Sequence, residues 1–267
     1  MTKPLDLDEL EWKREVPPVE ERLCFFAEQG IDLEQKSVCH DLSSGSPPMG
    51  PDTADLYRLY RMVRDTRRTT VLEFGCGWST WILAEALRHN ARDWEVEVAG
   101  LRRHNPFEIH TVDHSGEWLA TAASRIPEAT RSRVFLHESR VLTTEWNGRI
   151  ATRYEHLPLV NPDFIYVDGP DPESSVGQVY GWSPRHPDLM PMSADLLAIE
   201  PFLIPGTIVV VDGRTANARF LRDHFQRRWR YEFDRCLEQH SFVLIEEPLG
   251  KINEAQIAFY LDRSVDR

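Results

Sequence analysis

Short apolar runs alternate with helix-like stretches from residue 69 onward. Five runs rich in β-branched residues read as strands, at residues 70–74, 108–113, 133–136, 164–168 and 207–212. Stretches with helical periodicity lie between them, for example residues 79–88 and 117–126. Nearly continuous apolar strands separated by helices are typical of a parallel sheet that is covered on both faces. The pattern therefore predicts an α/β fold.

The two ends of the chain follow a different pattern. Residues 231–236 and 242–245 read as two further strands, close enough in sequence to pair in an antiparallel way. At the other end, helical segments over residues 6–14 and 19–29 precede a Ser/Gly/Pro-rich linker at 43–48. We interpret residues 1–50 as an N-terminal helical arm and residues 51–267 as the main domain, which a helix over 53–66 enters.

Two connections are longer than is usual between neighbouring elements. One covers residues 90–107, before the second strand, and the other covers residues 169–191, after the fourth. Long connections in compact domains are often lids or binding loops. The second is rich in proline and aromatic residues, and with residues 146–157 it can form walls around an organic ligand. The alternative is a structured loop whose aromatic residues pack onto the domain, with the arginines of 146–157 at the surface.

Charge and cysteine usage narrow the class of protein. The chain has 43 acidic and 31 basic residues and a formal net charge of −12, which argues against a nucleic-acid groove. The arginine-rich stretch 214–230 reads as one solvated helix face. No stretch has the apolar length that a membrane crossing requires. Four scattered cysteines without a CxxC pair favour a reducing, cytoplasmic location.

A glycine turn follows the first predicted strand. Gly75 and Gly77 allow the backbone to approach a ligand closely, and Ser79 begins a helix whose free N–H groups suit a carboxylate. Glu73, if it faces the cleft, holds an ammonium group. Together these groups match a zwitterionic amino-acid tail, whereas the alternative is a tight turn that binds nothing.

A dinucleotide is the rival ligand for this turn. Its fingerprint requires a third glycine where this chain has Thr80, and it expects the acidic residue after the second strand about half as far downstream as Asp113. Asp113 can accept hydrogen bonds from both ribose hydroxyls of an adenosine group, or it can cap the helix that follows.

The ordered motifs VLEFGCGWST, IHTVDHS, VFLHES, FIYVDGP and PGTIVVVDG resemble those of class I S-adenosylmethionine-dependent methyltransferases, in the small-molecule O-methyltransferase-like branch. The resemblance covers about residues 69–246. It implies a Rossmann-like, doubly wound sheet of seven strands, mostly parallel with an antiparallel last strand. It also implies which residues surround the cofactor: Glu73, Gly75, Gly77 and Ser79 at the methionine part, Asp113 and His114 at the ribose, Glu138 and Ser139 at the adenine, and Asp168 and Gly169 at the sulfonium.

The acceptor site is predicted at the ends of the fourth and fifth strands. Asp168 and Asp212 end these strands, and if they share one cleft they can bind a divalent cation such as Mg²⁺. Gly213 stands where the metal-dependent members of the family have a further ligand, and Asp212 can instead cap the next helix. His186, in the long connection, is a candidate general base near neutral pH, or simply part of a structured loop.

The sequence therefore predicts an S-adenosylmethionine-dependent methyltransferase, with Asp168, His186 and Asp212 as candidate catalytic residues and a small-molecule or sugar hydroxyl as acceptor. The alternative is a module that binds S-adenosylmethionine or S-adenosylhomocysteine for regulation or assembly and transfers nothing. A homo-oligomer is left open, because nothing in the sequence decides the oligomeric state.

Overall fold

The computed structural model of the chain describes residues 5–33 and 50–263. The helices of these residues are α1 (Val19–Glu28), α2 (Thr53–Asp65), α3 (Trp78–Ala99), α4 (Gly116–Arg125), α5 (Glu128–Arg131), α6 (Asp195–Ile199), α7 (Thr215–His224) and α8 (Lys251–Tyr260). The strands are β1 (Thr70–Phe74), β2 (Glu108–Asp113), β3 (Val134–Glu138), β4 (Val141–Trp146), β5 (Arg149–Tyr154), β6 (Phe164–Val167), β7 (Ser175–Val176), β8 (Ile208–Asp212), β9 (Trp229–Asp234) and β10 (Gln239–Leu244).

The main sheet contains seven strands in the order β3-β2-β1-β6-β8-β10-β9. Strands β3, β2, β1, β6 and β8 are parallel, and β10 is antiparallel to both of its neighbours. The predicted mostly parallel sheet of seven strands with an antiparallel last strand is confirmed. Because β1 pairs with β2 on one side and β6 on the other, the strand order reverses at β1. A crevice for a ligand is expected at the carboxyl end of that strand.

Both faces of the sheet are buried, as continuous apolar strands require. Successive residues of a strand point to opposite faces. Val71 and Ile109 accordingly belong to one hydrophobic cluster, which also contains residues of α2 and α3. Leu72 and Val112 belong to a second cluster, which contains residues of α6, α7 and the β4–β5 hairpin. The sheet therefore holds its carboxyl edge between two well-packed layers.

The N-terminal arm contributes to the same core as the sheet. Leu10, Phe26 and Ile31 are buried in the cluster that contains Val71. The helix expected over residues 6–14 is wrong, since only the 3-10 turn Leu7–Glu9 forms there. The expected linker at residues 43–48 lies outside the described residues.

A second sheet, in the order β5-β4-β7, was not predicted from the sequence. Its β4–β5 hairpin lies in the connection between β3 and β6, and the short β7 pairs with β4. Residues 146–157, interpreted from sequence as a wall, are mostly part of this hairpin.

Two predicted boundaries also differ. Helix α3 continues to Ala99 across a kink at Trp94, so much of the expected connection 90–107 is helical. Helix α7 ends at His224, and two arginines beyond it form ion pairs, Arg227 with Glu246 and Arg230 with Asp8. Within the described residues, no helix is both long enough and apolar enough to cross a bilayer.

Candidate active site at the carboxyl edge of the sheet

The turns that follow β1 and β6 touch through their backbones. Gly75 has φ +86°, and a Cβ placed on it would lie 2.9 Å from the carbonyl carbon and oxygen of Asp168. A Cβ on Gly169 would lie 2.8 Å from the backbone N and Cα of Gly75. Because β1 and β6 are neighbours in the sheet, their turns meet at the topological switch point, and both positions require glycine.

Glu73 lies under the first turn and is fully buried. One carboxylate oxygen accepts a hydrogen bond from the Ser79 hydroxyl (2.6 Å), and the other accepts from the hydroxyls of Thr80 and Thr111 (2.7 Å each). Burial raises the pKa of Glu73 to about 7, although the three hydroxyls lower it. Glu73 therefore ties β1 to α3 and β2, and its expected contact with an ammonium group stays a prediction.

The 22-residue helix α3 begins beside this turn, with Gly77 at its N-cap. The Gly77 N–H donates to the Thr80 hydroxyl (3.2 Å), and Ser79 is buried. A Cβ on Gly77 would have only the Ser79 hydroxyl nearby, at 3.8 Å. Because Gly77 has no side chain, a ligand can approach the N-terminus of α3 closely. The positive end of the helix dipole there suits a carboxylate.

Asp113 ends β2 and faces the glycine turn. Its Oδ2 accepts a hydrogen bond from the Cys76 N–H (2.9 Å), and its Oδ1 accepts from the Ser115 N–H (2.9 Å) and lies 3.3 Å from His114 Nδ1. Burial raises the pKa of Asp113, but the bonds from His114, Ser115 and Cys76 outweigh it and the pKa is lowered. Asp113 is therefore an ionised acceptor at the edge of the crevice.

His114 joins this edge to the segment that follows β6. Its Nε2 lies 3.0 Å from the Ser174 hydroxyl, and its Nδ1 contacts Asp113. The hydrogen bond to Asp113 raises the pKa of His114 above its ordinary value. The chain after β6 thus crosses back over the end of β1 towards β2.

Glu138 and Ser139 follow along the same edge, because β3 pairs with β2. The Ser139 N–H donates to the Asp113 carbonyl (2.8 Å), and its hydroxyl accepts from the His156 N–H (2.9 Å). Glu138 is exposed, and its carboxylate leans over Gly116, 3.1 Å from where a Cβ on that residue would lie. The structure therefore places both residues next to Asp113, in the order that the sequence predicts.

Asp168 lies on the other side of the switch point, in contact with Arg214. Its side chain is 55% exposed, and its Oδ1 lies 3.5 Å from Arg214 Nε. Arg214 Nη2 also bonds Asp171 (2.9 Å). Desolvation by the surrounding protein raises the pKa of Asp168 to about 6, although Arg214 opposes the rise. Arg214 was predicted only as part of the solvated arginine-rich stretch 214–230, but its side chain is 14% exposed and lies at this site.

Asp212 has neighbours from α2 that sequence reasoning missed. Arg58, almost fully buried, forms an ion pair with Asp55 and places its Nη2 3.6 Å from Asp212 Oδ1. Gln239 Nε2 donates to the same oxygen (3.3 Å). Burial and the proximity of Asp212 raise the pKa of Asp55 to about 7. The only sequence signal for this group is the spacing of Asp55 and Arg58, which lie three residues apart on one helix face and can therefore form an ion pair.

No group of three or more His, Cys, Asp or Glu residues within the described ranges is arranged to hold a metal ion. Asp212 lies instead beside a cation of the protein itself, the Arg58 guanidinium. The predicted pairing of Asp168 with Asp212 around Mg²⁺ is therefore untested.

His186 lies on the exposed middle part of the long connection. Its Nδ1 accepts a hydrogen bond from the Asp188 N–H (3.2 Å), and its side chain is 59% exposed. In the described part of the chain, no hydrogen bond or ion pair joins His186 to Asp168 or Asp212. Both ends of this connection are fixed, through β7 and through the Ala194 N–H bond to Thr152 (2.8 Å), whereas its middle lies at the surface.

Tyr154 reaches the switch point from the unpredicted hairpin. It is 1% exposed and stacks on Phe74 with ring centroids 5.9 Å apart. Its hydroxyl lies 3.1 Å from where a Cβ on Gly169 would be, and this oxygen has no hydrogen-bond partner among the described residues. The hairpin thus packs Tyr154 against Gly169, in the turn that follows β6.

Comparison with known proteins identifies the family through a sequence model. The family described as "Methyltransferase domain" matches residues 72–213, from within β1 to just beyond β8. No curated protein sequence matches the chain.

Three solved structures resemble the chain at low identity. They are the O-methyltransferase from Bacillus cereus in complex with SAH (13% identity, 87% of this chain and 94% of that chain, TM-score 0.41), the O-methyltransferase TomG from Streptomyces achromogenes in complex with SAM (15%, 90% and 93%, 0.39), and SAH-bound Podospora anserina methyltransferase PaMTH1 (14%, 88% and 99%, 0.39). The family model spans more than half of the residues and includes both glycine turns and Asp113. The chain therefore belongs to the methyltransferase-domain family.

Proposed function

We propose that the chain is an S-adenosylmethionine-dependent methyltransferase that methylates a hydroxyl group of a small molecule or sugar. The observation that carries the proposal is the hydrogen bond between the Cys76 N–H and the Asp113 carboxylate, 2.9 Å long. It holds an ionised acceptor against the glycine turn at the topological switch point, where open α/β sheets bind nucleoside ligands.

The residues at this edge fit the cofactor part by part. Gly75, Gly77 and Ser79, with the start of α3, suit the methionine carboxylate, and Glu73 lies beneath them. Asp113 keeps lone pairs for the ribose hydroxyls. When bound, the cofactor supplies an electrophilic methyl group on its sulfonium.

Further residues of the edge complete the assignment. His114 lies beside Asp113 at the ribose position, and Glu138 and Ser139 flank the adenine position along β3. Asp168 and Gly169 face the position of the sulfonium.

Asp168 is the proposed base for the acceptor hydroxyl. Its pKa of about 6 leaves it mostly ionised at neutral pH, and its half-exposed carboxylate is accessible to a ligand. Arg214 orients the carboxylate from the side. The methyl-transfer rate should therefore rise as pH increases through about 6 and then level off. Asp168→Asn should remove this rise, whereas a profile that persists in the variant would move the role to another group such as His186.

The donors near Asp212 do not fit a divalent cation, because Arg58 already brings a positive charge to within 3.6 Å of its carboxylate. Mg²⁺ should therefore leave the affinity for S-adenosylhomocysteine unchanged in the titration below.

Calorimetric titration with S-adenosylhomocysteine, with and without Mg²⁺, tests cofactor binding. Micromolar binding is expected for the unchanged protein, together with a loss of about a hundredfold or more in Asp113→Ala, which removes the bonds to Cys76 and the ribose acceptor. Asp188→Ala, a strongly exposed carboxylate in the long connection, is the matched control and should bind normally. Equal affinity of Asp113→Ala and the unchanged protein would refute the assignment.

Turnover separates the enzyme from a module that only binds the cofactor. A panel of phenols, catechols and sugars should yield S-adenosylhomocysteine with at least one acceptor. Binding without turnover on every acceptor would favour the non-catalytic alternative.

The free thiols Cys24, Cys76 and Cys236 support the reducing, cytoplasmic compartment that the proposal assumes.

A further inference from the structure

A cavity of about 820 Å³ lies at the amino edge of the sheet, away from the glycine turns. Thr70, the first residue of β1, lines it, whereas Gly75 follows the last residue of the same strand. Its other walls come from residues 102–105 and 157–162, from residues 199 and 202–204, and from residues 249, 252, 253 and 256. None of these residues belongs to the proposed cofactor site, so the cavity is a separate concave surface of the protein.

Large apolar side chains surround the cavity and are exposed to solvent. Leu159 is 102% exposed, Phe202 76%, Leu249 61% and Ile252 49%, and all four line the cavity. One exposed apolar side chain is ordinary on a protein surface, but several around one concavity mark a binding site. The rim is therefore suited to an apolar body.

The charge of the lining is opposite to that of the chain. Arg102, Arg103 and His104 all line the cavity, and no Asp or Glu is among its lining residues, although the chain carries a net charge of −12. Such a reversal of sign at one concave surface favours an anion.

Arg103 is the buried member of this group. Its side chain is only 4% exposed, its Nη2 donates to the Asn161 carbonyl (2.9 Å), and its Nε has no hydrogen-bond partner within the described residues. Asp163 lies 3.5 Å away, but its carboxylate also accepts from the backbone N–H groups of Thr69 and Thr70 and from the Tyr260 hydroxyl. These other donors are neutral, so Asp163 still balances the charge of Arg103. The positive charge at this end of the cavity therefore comes from exposed Arg102, while Arg103 supplies an N–H group without a partner among the described residues.

We propose that this cavity binds an amphipathic monoanion, with an unbranched or aromatic apolar body between Leu159, Phe202 and Leu249 and a carboxylate near Arg102 and Arg103. The volume is within the range of small-molecule sites, and the apolar rim and basic end lie on one concave surface. The site is separate from the proposed cofactor site, so the proposal does not depend on methyl transfer.

Calorimetric titration with decanoate tests the proposal, with decyltrimethylammonium as the probe of opposite charge and equal chain length. Decanoate should bind at one site per chain, and decyltrimethylammonium should bind at least about tenfold more weakly. The double variant Arg102→Ala with His104→Ala, and separately Phe202→Asp, should each weaken decanoate by about tenfold or more. All variants should bind S-adenosylhomocysteine as the unchanged protein does.

Two matched controls separate this site from general surface effects. Val96→Asp changes an apolar residue that is 85% exposed outside the cavity, and Arg131→Ala removes an exposed arginine of α5. Neither should change decanoate affinity. Equal affinity for both probes, or binding that the cavity variants leave unchanged, would overturn the proposal. So would sedimentation showing a dimer that Phe202→Asp dissociates, because a second copy would then cover the rim.

Discussion

At the scale of single residues, Gly75 and Gly177 form a natural comparison. Both have φ near +87°, but a Cβ on Gly75 would meet the Asp168 backbone at 2.9 Å, whereas one on Gly177 would meet nothing within 4 Å. Gly75→Ala should therefore lower the free energy of unfolding by about 1–3 kcal/mol more than Gly177→Ala. Chemical denaturation of both variants measures the difference. Equal losses would mean that the two glycine turns are not in contact.

Glu73 supplies a prediction about pH. Burial raises its pKa from an ordinary value near 4.5 to about 7, so the folded state holds this proton more tightly than the unfolded state. The stability that results is present below about pH 4.5 and is lost as pH rises to about 7. The free energy of unfolding of the unchanged protein, measured relative to that of Glu73→Gln, should therefore be about 1–3 kcal/mol higher at pH 5 than at pH 8.

Denaturation of both proteins at the two pH values, without cofactor, gives this difference directly. Glu128→Gln changes an exposed carboxylate and should show no such dependence. If the free energies of unfolding of the unchanged protein and Glu73→Gln differ by the same amount at pH 5 and at pH 8, Glu73 is ionised in the folded state at both.

At the scale of elements, the β4–β5 hairpin takes the place of a crossover helix between β3 and β6. Buried Asp195, at the start of α6, holds it by accepting from the Tyr154 N–H (2.9 Å) and from the Ser193 hydroxyl (2.6 Å). Asp195→Asn places an amide N–H donor against one of these donors, so it should lower the free energy of unfolding by about 1–3 kcal/mol. Amide exchange at Tyr154 should then accelerate by about tenfold or more relative to β10.

Asp234→Asn is the control for this element. Asp234 also accepts two backbone N–H groups, from Cys236 (3.0 Å) and Leu237 (3.2 Å), but at an exposed turn between β9 and β10. Its substitution should leave exchange in the β4–β5 hairpin unchanged. If Asp195→Asn affects exchange in the hairpin no more than this control does, Asp195 does not anchor it.

At the scale of the whole molecule, the N-terminal arm is expected to unfold together with the sheet. Phe26 of α1 is fully buried in the cluster that also contains Val71 of β1. Phe26→Ala should lower the stability of the whole chain by about 3–5 kcal/mol, in one transition that far-UV circular dichroism and tryptophan fluorescence report at the same midpoint. Two separated transitions would mean that the arm and the sheet do not unfold as one unit.

Local pattern predicted the central strands of the main sheet well, because β1, β6 and β8 are compact apolar runs. The bounds of β1 and β2 agree with the predicted ones. The predicted antiparallel pair forms as β9 and β10, with the two strands beginning two and three residues earlier than expected.

The β4–β5 hairpin was missed because neither of its strands is a continuous apolar run. The Asn147-Gly148 pair between the strands, in which both residues have positive φ, is the sequence signal that could have found it. Helix α3 was ended too early, because the residues after Arg88 are mostly charged or polar although they continue the helix.

The sequence by itself determined the fold class, the order of the glycine turn and Asp113, and the family, because each depends on residues that are close together in the chain. The tertiary structure alone brought Arg58 to Asp212, Tyr154 to Gly169, and Arg103 to the cavity at the amino edge. Residues far apart in sequence leave no local pattern. They meet only when strand pairing places their elements side by side, so their charge and burial become visible only in the folded molecule.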